Sequence, residues 1–273
     1  MMDDGALDVW QKETDQVPAE VYTAYFRDGH TRGLKSLDRL EDAFERVFLA
    51  ARTVTVGAVP VVWNVYNMGY VVKTRHSLFS IDLVHRRALE LVPFLDFALI
   101  THNHDDHYRP DFYQALNRAG KTVLSNFMDN YGVRDRMCDG GYTRAEKVFK
   151  FRDVEIGTSL VDHNPYLVDF TTAYEIKVGD WRCYHTGDCY SSSKLKTRWG
   201  KPDLWMFFPG CGVNVADAVR RVGAKRVVFG HLWELGHKSD GRLSSDRIRK
   251  AQDAAFGAGV KAEVPAWGEL ISK

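Results

Sequence analysis

The sequence predicts an α/β sandwich in which two mixed β-sheets pack together and carry helices on their outer faces (an αββα order). Three observations predict it. Short β-branched and aromatic runs come in groups, and a helical pattern follows each group, whereas a doubly wound sheet would alternate strand and helix one by one. The second half repeats the theme of the first without repeating its sequence. No Pro/Ser-rich linker interrupts the chain, so 273 residues are expected to form one main domain around a sizeable core.

Residues 1–35 are polar and mixed, with Trp10, Tyr22, Tyr25 and Phe26 as docking points. They are expected to be an N-terminal extension packed on a domain of residues 36–273. From Leu37 the period turns helical: Leu37, Leu40, Phe44, Val47, Phe48 and Ala51 fall on one face, with Ser36 as the expected N-cap. Val59 to Tyr66, Tyr70 to Thr74 and Leu78 to Val84 then read as a strand meander, separated by Asn67 to Gly69 and Arg75 to Ser77. Phe97 to Ile100 is a further strand, and Pro110 and Asp111 open a helix that Gly120 stops. Val148 to Val161 is strand-like. Tyr174 to Val178 and Trp181 to His185 form a hairpin about Gly179 and Asp180, and Leu204 to Phe208 is a buried strand. A helix over Val215 to Val222, a strand over Arg226 to Phe229 and a helix over Ser245 to Phe256 complete the pattern.

Composition excludes little on its own. With 37 basic and 36 acidic residues the net charge is +1, which gives no electrostatic ground for a nucleic-acid or anionic-membrane partner. No apolar run approaches the roughly 20 residues that span a bilayer. The acidic N-terminus lacks an apolar stretch of the secretory kind, and Cys138, Cys183, Cys189 and Cys211 show no CxxC pairing. A cytoplasmic protein with reduced thiols and a small-molecule substrate is the expectation, and the aromatic-bearing extension leaves a homo-oligomer open.

The chemistry gathers in His102-x-His104-x-Asp106-His107, directly after an apolar strand. In extended chain, positions i and i+2 face the same side, so His102 and His104 can hold one metal ion; a turn at Asp105 can swing Asp106 and His107 toward another. Imidazole and carboxylate suit zinc and other first-row divalent ions. Three of the ten histidines fall in these six positions, which an incidental polar loop would hardly produce. Further on come Asp162-His163-Asn164 after the strand-like Leu160-Val161, Asp188 in a Thr-Gly-Asp turn, and His231 at the end of Val227 to Phe229. His185 competes with Asp188 and reads as structural; His237, six residues past His231, is a substrate-contact candidate.

This ordered set resembles the metallo-β-lactamase superfamily over roughly residues 58–235. The resemblance implies that His102, His104 and His163 bind a first metal, that Asp106, His107 and His231 bind a second, and that Asp188 bridges the two. It implies a metal-dependent hydrolase using a metal-bridging hydroxide, with Asp106 and Asp188 catalytic and two divalent ions as cofactors, zinc first, with manganese or iron as alternatives. Asp82 occupies the place of a structural aspartate beside the site. The short span between Asp188 and His231 disfavours nuclease branches with a large insert. The chain looks more like the ascorbate-6-phosphate lactonase-like branch, which implies an ester, lactone or phosphoester bond in a small anionic metabolite. Lys194, Lys196 and Arg198 could meet a phosphate; Tyr108 joins His237 as a rim candidate, with Tyr66, Asn67, Trp233 and Glu234. Alternatives are a phosphodiesterase acting on a nucleotide or lipid head group, a mono-iron oxidoreductase of the same fold, and a binding protein without turnover.

Overall fold

A computed structural model describes residues 1–125 and 146–272; Cys138 lies outside them. Two sheets form as expected. In the first, β1 (Val61–Tyr66), β2 (Gly69–Lys73), β3 (Leu78–Ile81), β4 (Phe97–Leu99) and β5 (Thr122–Leu124) lie in that order. The meander β1–β2–β3 is antiparallel, and β4 and β5 continue it in parallel. The second sheet contains β6 (Val148–Phe151), β7 (Val154–Val161), β8 (Thr171–Val178), β9 (Trp181–His185), β10 (Leu204–Phe207), β11 (Val227–Phe229) and β12 (Ala262–Glu263). Its order is β12-β11-β10-β9-β8-β7-β6, parallel from β12 to β9 and antiparallel from β9 to β6.

The apolar runs are continuous because both faces of these strands are covered. Side chains alternate with a period of two. In β4, Phe97 and Leu99 enter the core between the sheets while Ala98 and Ile100 face the helical layer; in β10, Leu204 and Met206 point inward and Trp205 and Phe207 outward. Burying each of the larger aliphatic and phenyl side chains among these stabilises the fold by about 1.5–3 kcal/mol.

Among the described residues six helices frame the sheets: α1 (Asp4–Asp15), α2 (Ala19–Asp28), α3 (Lys35–Thr53), α4 (Pro110–Arg118), α5 (Val215–Val222) and α6 (Ser245–Gly257). In α3 the expected stripe is buried at Leu37, Leu40, Phe44, Val47 and Ala51, and Phe48 is half-buried against the same core. Its start differs from the expectation. Leu34 occupies the cap position, and Ser36 lies inside the first turn with its hydroxyl buried and unbonded.

Residues 1–35 hold more order than their composition indicated. The Asp3 side chain caps α1 by accepting from the Ala6 N–H at 2.8 Å, and Gly29 ends α2 at φ +78°. Leu7, Trp10 and Thr14 are the buried residues of α1, and Trp10 meets Trp267 edge-on at 4.8 Å. The strand-like stretch from Val148 is a hairpin, β6 and β7, turned at Arg152 and Asp153. Strands β5 and β12 were not anticipated; at three and two residues they are too short to show a period. No helix among the described residues is long and apolar enough to cross a membrane.

Candidate metal centre

Loops at the C-terminal ends of β4, β7, β9 and β11 bring the singled-out residues to one place. After β4 the chain is held by Asp82, which directly follows β3: Thr101 donates its N–H to Asp82 Oδ1 at 2.7 Å and its hydroxyl to Oδ2 at 2.6 Å. A tight turn follows, with the N–H groups of His107 and Tyr108 both donating to the His104 carbonyl. That turn brings His107 back beside His102, their ring centres 4.1 Å apart.

Three overlapping groups of donors result. His102, His104 and His163 form one; His102, His107 and Asp188 a second; Asp106, His107 and His231 a third, with the ligand atoms of each group within 4.8 Å of one another. His163 Nε2 stands 3.1 Å from His104 Nδ1. Asp188 Oδ1 is 3.2 Å from His107 Nε2, and its Oδ2 is 3.4 Å from His231 Nε2 and 3.6 Å from His163 Nε2. His231 Nε2 lies 2.8 Å from Asp106 Oδ2, close but out of line for a hydrogen bond.

These separations bear on whether a metal fits. Two nitrogens on one tetrahedral zinc, each at about 2.05 Å, stand about 3.3 Å apart. Buried His102 Nε2, His107 Nε2, His231 Nε2 and Asp188 Oδ1 have no hydrogen-bond partner, although buried polar atoms nearly always find one. Donors that crowd together without bonding each other fit a shared cation.

The charges point the same way. Burial holds His102, His104 and His163 below the ordinary imidazole pKa, leaving them neutral as ligands must be. For His231 burial opposes charge too, but the Asp188 and Asp106 carboxylates outweigh it and push the pKa up to about 10. His107 is raised for the same reason. Burial works against the anionic forms of Asp106 and Asp188, yet the two imidazoliums hold both carboxyls below the usual range. Without metal the cluster is therefore a buried ion-paired network.

The backbone around the cluster is strained. Asn67, Asp82, His231 and Trp233 all have positive φ, between +44° and +58°, a region costly for residues other than glycine. Gly187, at φ +51°, lets the Thr-Gly-Asp turn pass close to Thr101: a Cβ there would lie 2.8 Å from the Thr101 side chain and 2.8 Å from Thr171.

Other anticipated residues divide. Tyr108 and His237 line the large cavity beside the cluster, with Glu234; Asn67 donates to the Asp106 carbonyl at 3.2 Å. His185 is buried behind the site, its Nε2 3.1 Å from the Met68 carbonyl, as a structural histidine. Lys194, Lys196 and Arg198 line neither cavity at the cluster. Lys194 is held by Asp162 and Asp169, at 2.7 and 2.6 Å, and Lys196 by Glu146 at 2.7 Å. Arg198 lies over Gly157, and its N–H is bonded to Glu175. The basic run thus braces loops, that of His163 among them, and the expectation that it meets a phosphate at the metals is not supported by its position. Cys211 lines the small cavity over the cluster, while burial pushes the Cys189 thiol up to about 12.

Several residues went unread in the sequence. Phe208 stacks on His231 at 4.2 Å, and Phe170 stands 5.4 Å from His104. Arg242, 4% exposed, donates to the carbonyls of Glu234, Leu235 and His237 on the loop after His231. It also donates to those of Thr14, in the last turn of α1, and Val17, between α1 and α2. None belongs to a local motif, so no spacing marks them.

The architecture is the metallo-β-lactamase fold. No family model and no curated protein matches the sequence. Among solved structures the chain is similar to a metallo-β-lactamase fold protein from Bacillus subtilis, YhfI, at 14% identity and TM-score 0.55, over 79% of this chain and 100% of that one. A metallo hydrolase from the archaeon Ignicoccus hospitalis, Igni18, is 18% identical at TM-score 0.58, over 78% and 98%. The diiron β-hydroxylase CmlA from Streptomyces venezuelae is 18% identical at TM-score 0.57, over 92% of this chain and 61% of that one.

Proposed function

We propose that this chain is a metal-dependent hydrolase with a binuclear centre, cleaving an ester, lactone or phosphoester bond in a small anionic metabolite. One observation carries the reading: seven imidazole and carboxylate side chains converge, with buried donor atoms left unbonded. His102, His104 and His163 would hold one ion, and Asp106, His107 and His231 the other. Asp188 would bridge, since one of its oxygens faces His107 and the other faces both His163 and His231. Zinc suits this donor set, with manganese or iron as substitutes. When bound, the ions supply a hydroxide nucleophile near neutral pH and Lewis acidity toward the substrate oxygen. Asp106 borders both cavities and carries a proton to the leaving group. The lactone and phosphoester options come from the resemblance to the ascorbate-6-phosphate lactonase-like branch, and a cytoplasmic setting accords with the free thiols of Cys183, Cys189 and Cys211.

The test is metal content by mass spectrometry on protein purified without added metal, followed by turnover of lactones, p-nitrophenyl esters and bis-(p-nitrophenyl) phosphate. Two equivalents of zinc or manganese are expected, with turnover lost in a folded His104→Ala variant. Unchanged turnover in that variant would overturn the metal mechanism. Preference for the phosphodiester would favour a phosphodiesterase. A second reading, an iron oxidoreductase, is favoured by the diiron hydroxylase's similarity over 92% of the chain. Oxygen uptake by iron-loaded protein would select it.

A further inference from the structure

Beside the cluster lies a cavity of about 1010 Å³, at the upper end of the range for small-molecule sites. One of its walls is α2. Tyr22, Thr23, Phe26 and Arg27 line it, at helical positions i, i+1, i+4 and i+5, which form a single face. His104 and Asp106 of the cluster border the same cavity.

The wall is fixed in place. Arg242 ties the carbonyls of Thr14 and Val17 to the loop that follows His231, as described above. Trp233 Nε1 donates to Gln11 Oε1 of α1 at 3.2 Å. The Tyr22 ring lies 6.0 Å from that of Tyr66, whose hydroxyl donates to Glu234 at 3.0 Å. A wall held this firmly selects among ligands without first ordering itself.

Its charges are unevenly committed. Asp106 belongs to the cluster, and Glu234 accepts from Tyr66 and from the N–H groups of Gly236 and His237, at 2.8 and 2.6 Å. Arg109 is paired with Asp111 through two bonds of 2.6 Å and stands 5.0 Å over the Phe26 ring. His237 Nδ1 is 3.7 Å from Glu234. Asp105 also borders the cavity and is exposed. Arg27 is exposed and makes no hydrogen bond or ion pair among the described residues. An anion entering this cavity meets one uncommitted guanidinium beside an aromatic surface.

We propose that α2 is the substrate-selecting wall of the site, taking a substrate with an apolar body laid along Tyr22 and Phe26 and an anionic group at Arg27. The inference rests on the reading of the His and Asp cluster as the reacting centre. It assigns to the N-terminal segment, and not to the basic run at Lys194 to Arg198, the recognition of substrate charge.

The test is calorimetric binding of 4-phenylbutyrate and its neutral analogue 4-phenylbutyramide to the metal-loaded protein. Wild type is expected to prefer the carboxylate. Arg27→Gln should weaken the carboxylate about tenfold, the scale of one charge-assisted hydrogen bond, and leave the amide within about twofold. Phe26→Ala should weaken both, and metal content should be unchanged in either variant. Equal carboxylate affinity in Arg27→Gln and wild type would overturn the proposal, since the anion would then sit at the metals. No preference, or no binding of either compound, overturns it as well. If Arg27→Gln abolishes the preference while no ester, lactone or phosphodiester is turned over, the hydrolase reading fails and the selecting wall stands.

Discussion

The Asp82 carboxylate lies 2.8 Å from Nδ1 of His107 and turns the opposite nitrogen of that ring toward Asp188 and Asp106. The same carboxylate takes the N–H and hydroxyl of Thr101. One buried residue thereby fixes both the ring orientation of His107 and the start of the loop that carries it.

Asp82→Ala is expected to lower metal affinity about 10–100-fold, the usual effect of removing a partner behind a ligating histidine. Competition against a chromophoric chelator reads this directly. Affinity equal to that of wild type would mean that packing alone orients His107.

Metal uptake should release protons. In the metal-free protein His231 keeps its proton up to about pH 10 and His107 is likewise raised, while His102, His104 and His163 are already neutral. A cation must displace both protons, so apparent affinity rises with pH toward that limit, by about tenfold per pH unit for each proton displaced. At pH 6, below the value of about 7 that metal-bound water takes, calorimetry in buffers of differing ionisation enthalpy should find close to two protons released per filled cluster. A value near zero would contradict the ion-paired network.

Gly187→Ala should cost about 2 kcal/mol of stability, because the residue holds positive φ and its new methyl group would strike Thr101 and Thr171. Displacing Thr101 also loosens the hold on Asp82. Chemical denaturation together with a metal titration should show both losses, whereas loss of stability with intact affinity would uncouple the turn from the ligands.

Arg242→Met leaves five carbonyl groups, four of them buried, without this donor, and the expected loss is about 3 kcal/mol. Urea unfolding of the metal-loaded protein measures it. Protease cleavage within residues 1–35 should speed up in the variant; if cleavage stays at the wild-type rate, α1 and α2 are held by their apolar faces alone.

Much of this was legible in the sequence because the chemistry is local. Four of the seven clustered residues lie between His102 and His107, and the other three stand within three residues of the ends of β7, β9 and β11. The strand to either side of Gly179 and Asp180 and the helix from Pro110 carry their own turn and cap signals. Residues 1–35 were harder to read. Their buried positions, such as Leu7, Trp10 and Tyr22, are sparse among charges, and their helices depend on docking. The basic run at Lys194 misled for a related reason: its partners Asp162, Asp169 and Glu146 are distant in sequence, so lysines that are neutralised in the fold look free. Arg242 and Phe208 act by tertiary contact alone.

The way Arg242 grips the N-terminal helices has a further consequence. It holds them through main-chain oxygens, which every amino acid supplies, whereas the cavity meets their side chains. Attachment and recognition are thus written in separate alphabets on the same short segment. Thr23, Phe26 and Arg27 of α2 can be changed while Arg242 keeps its hold, which makes those few positions the natural place to retune this fold for a different molecule.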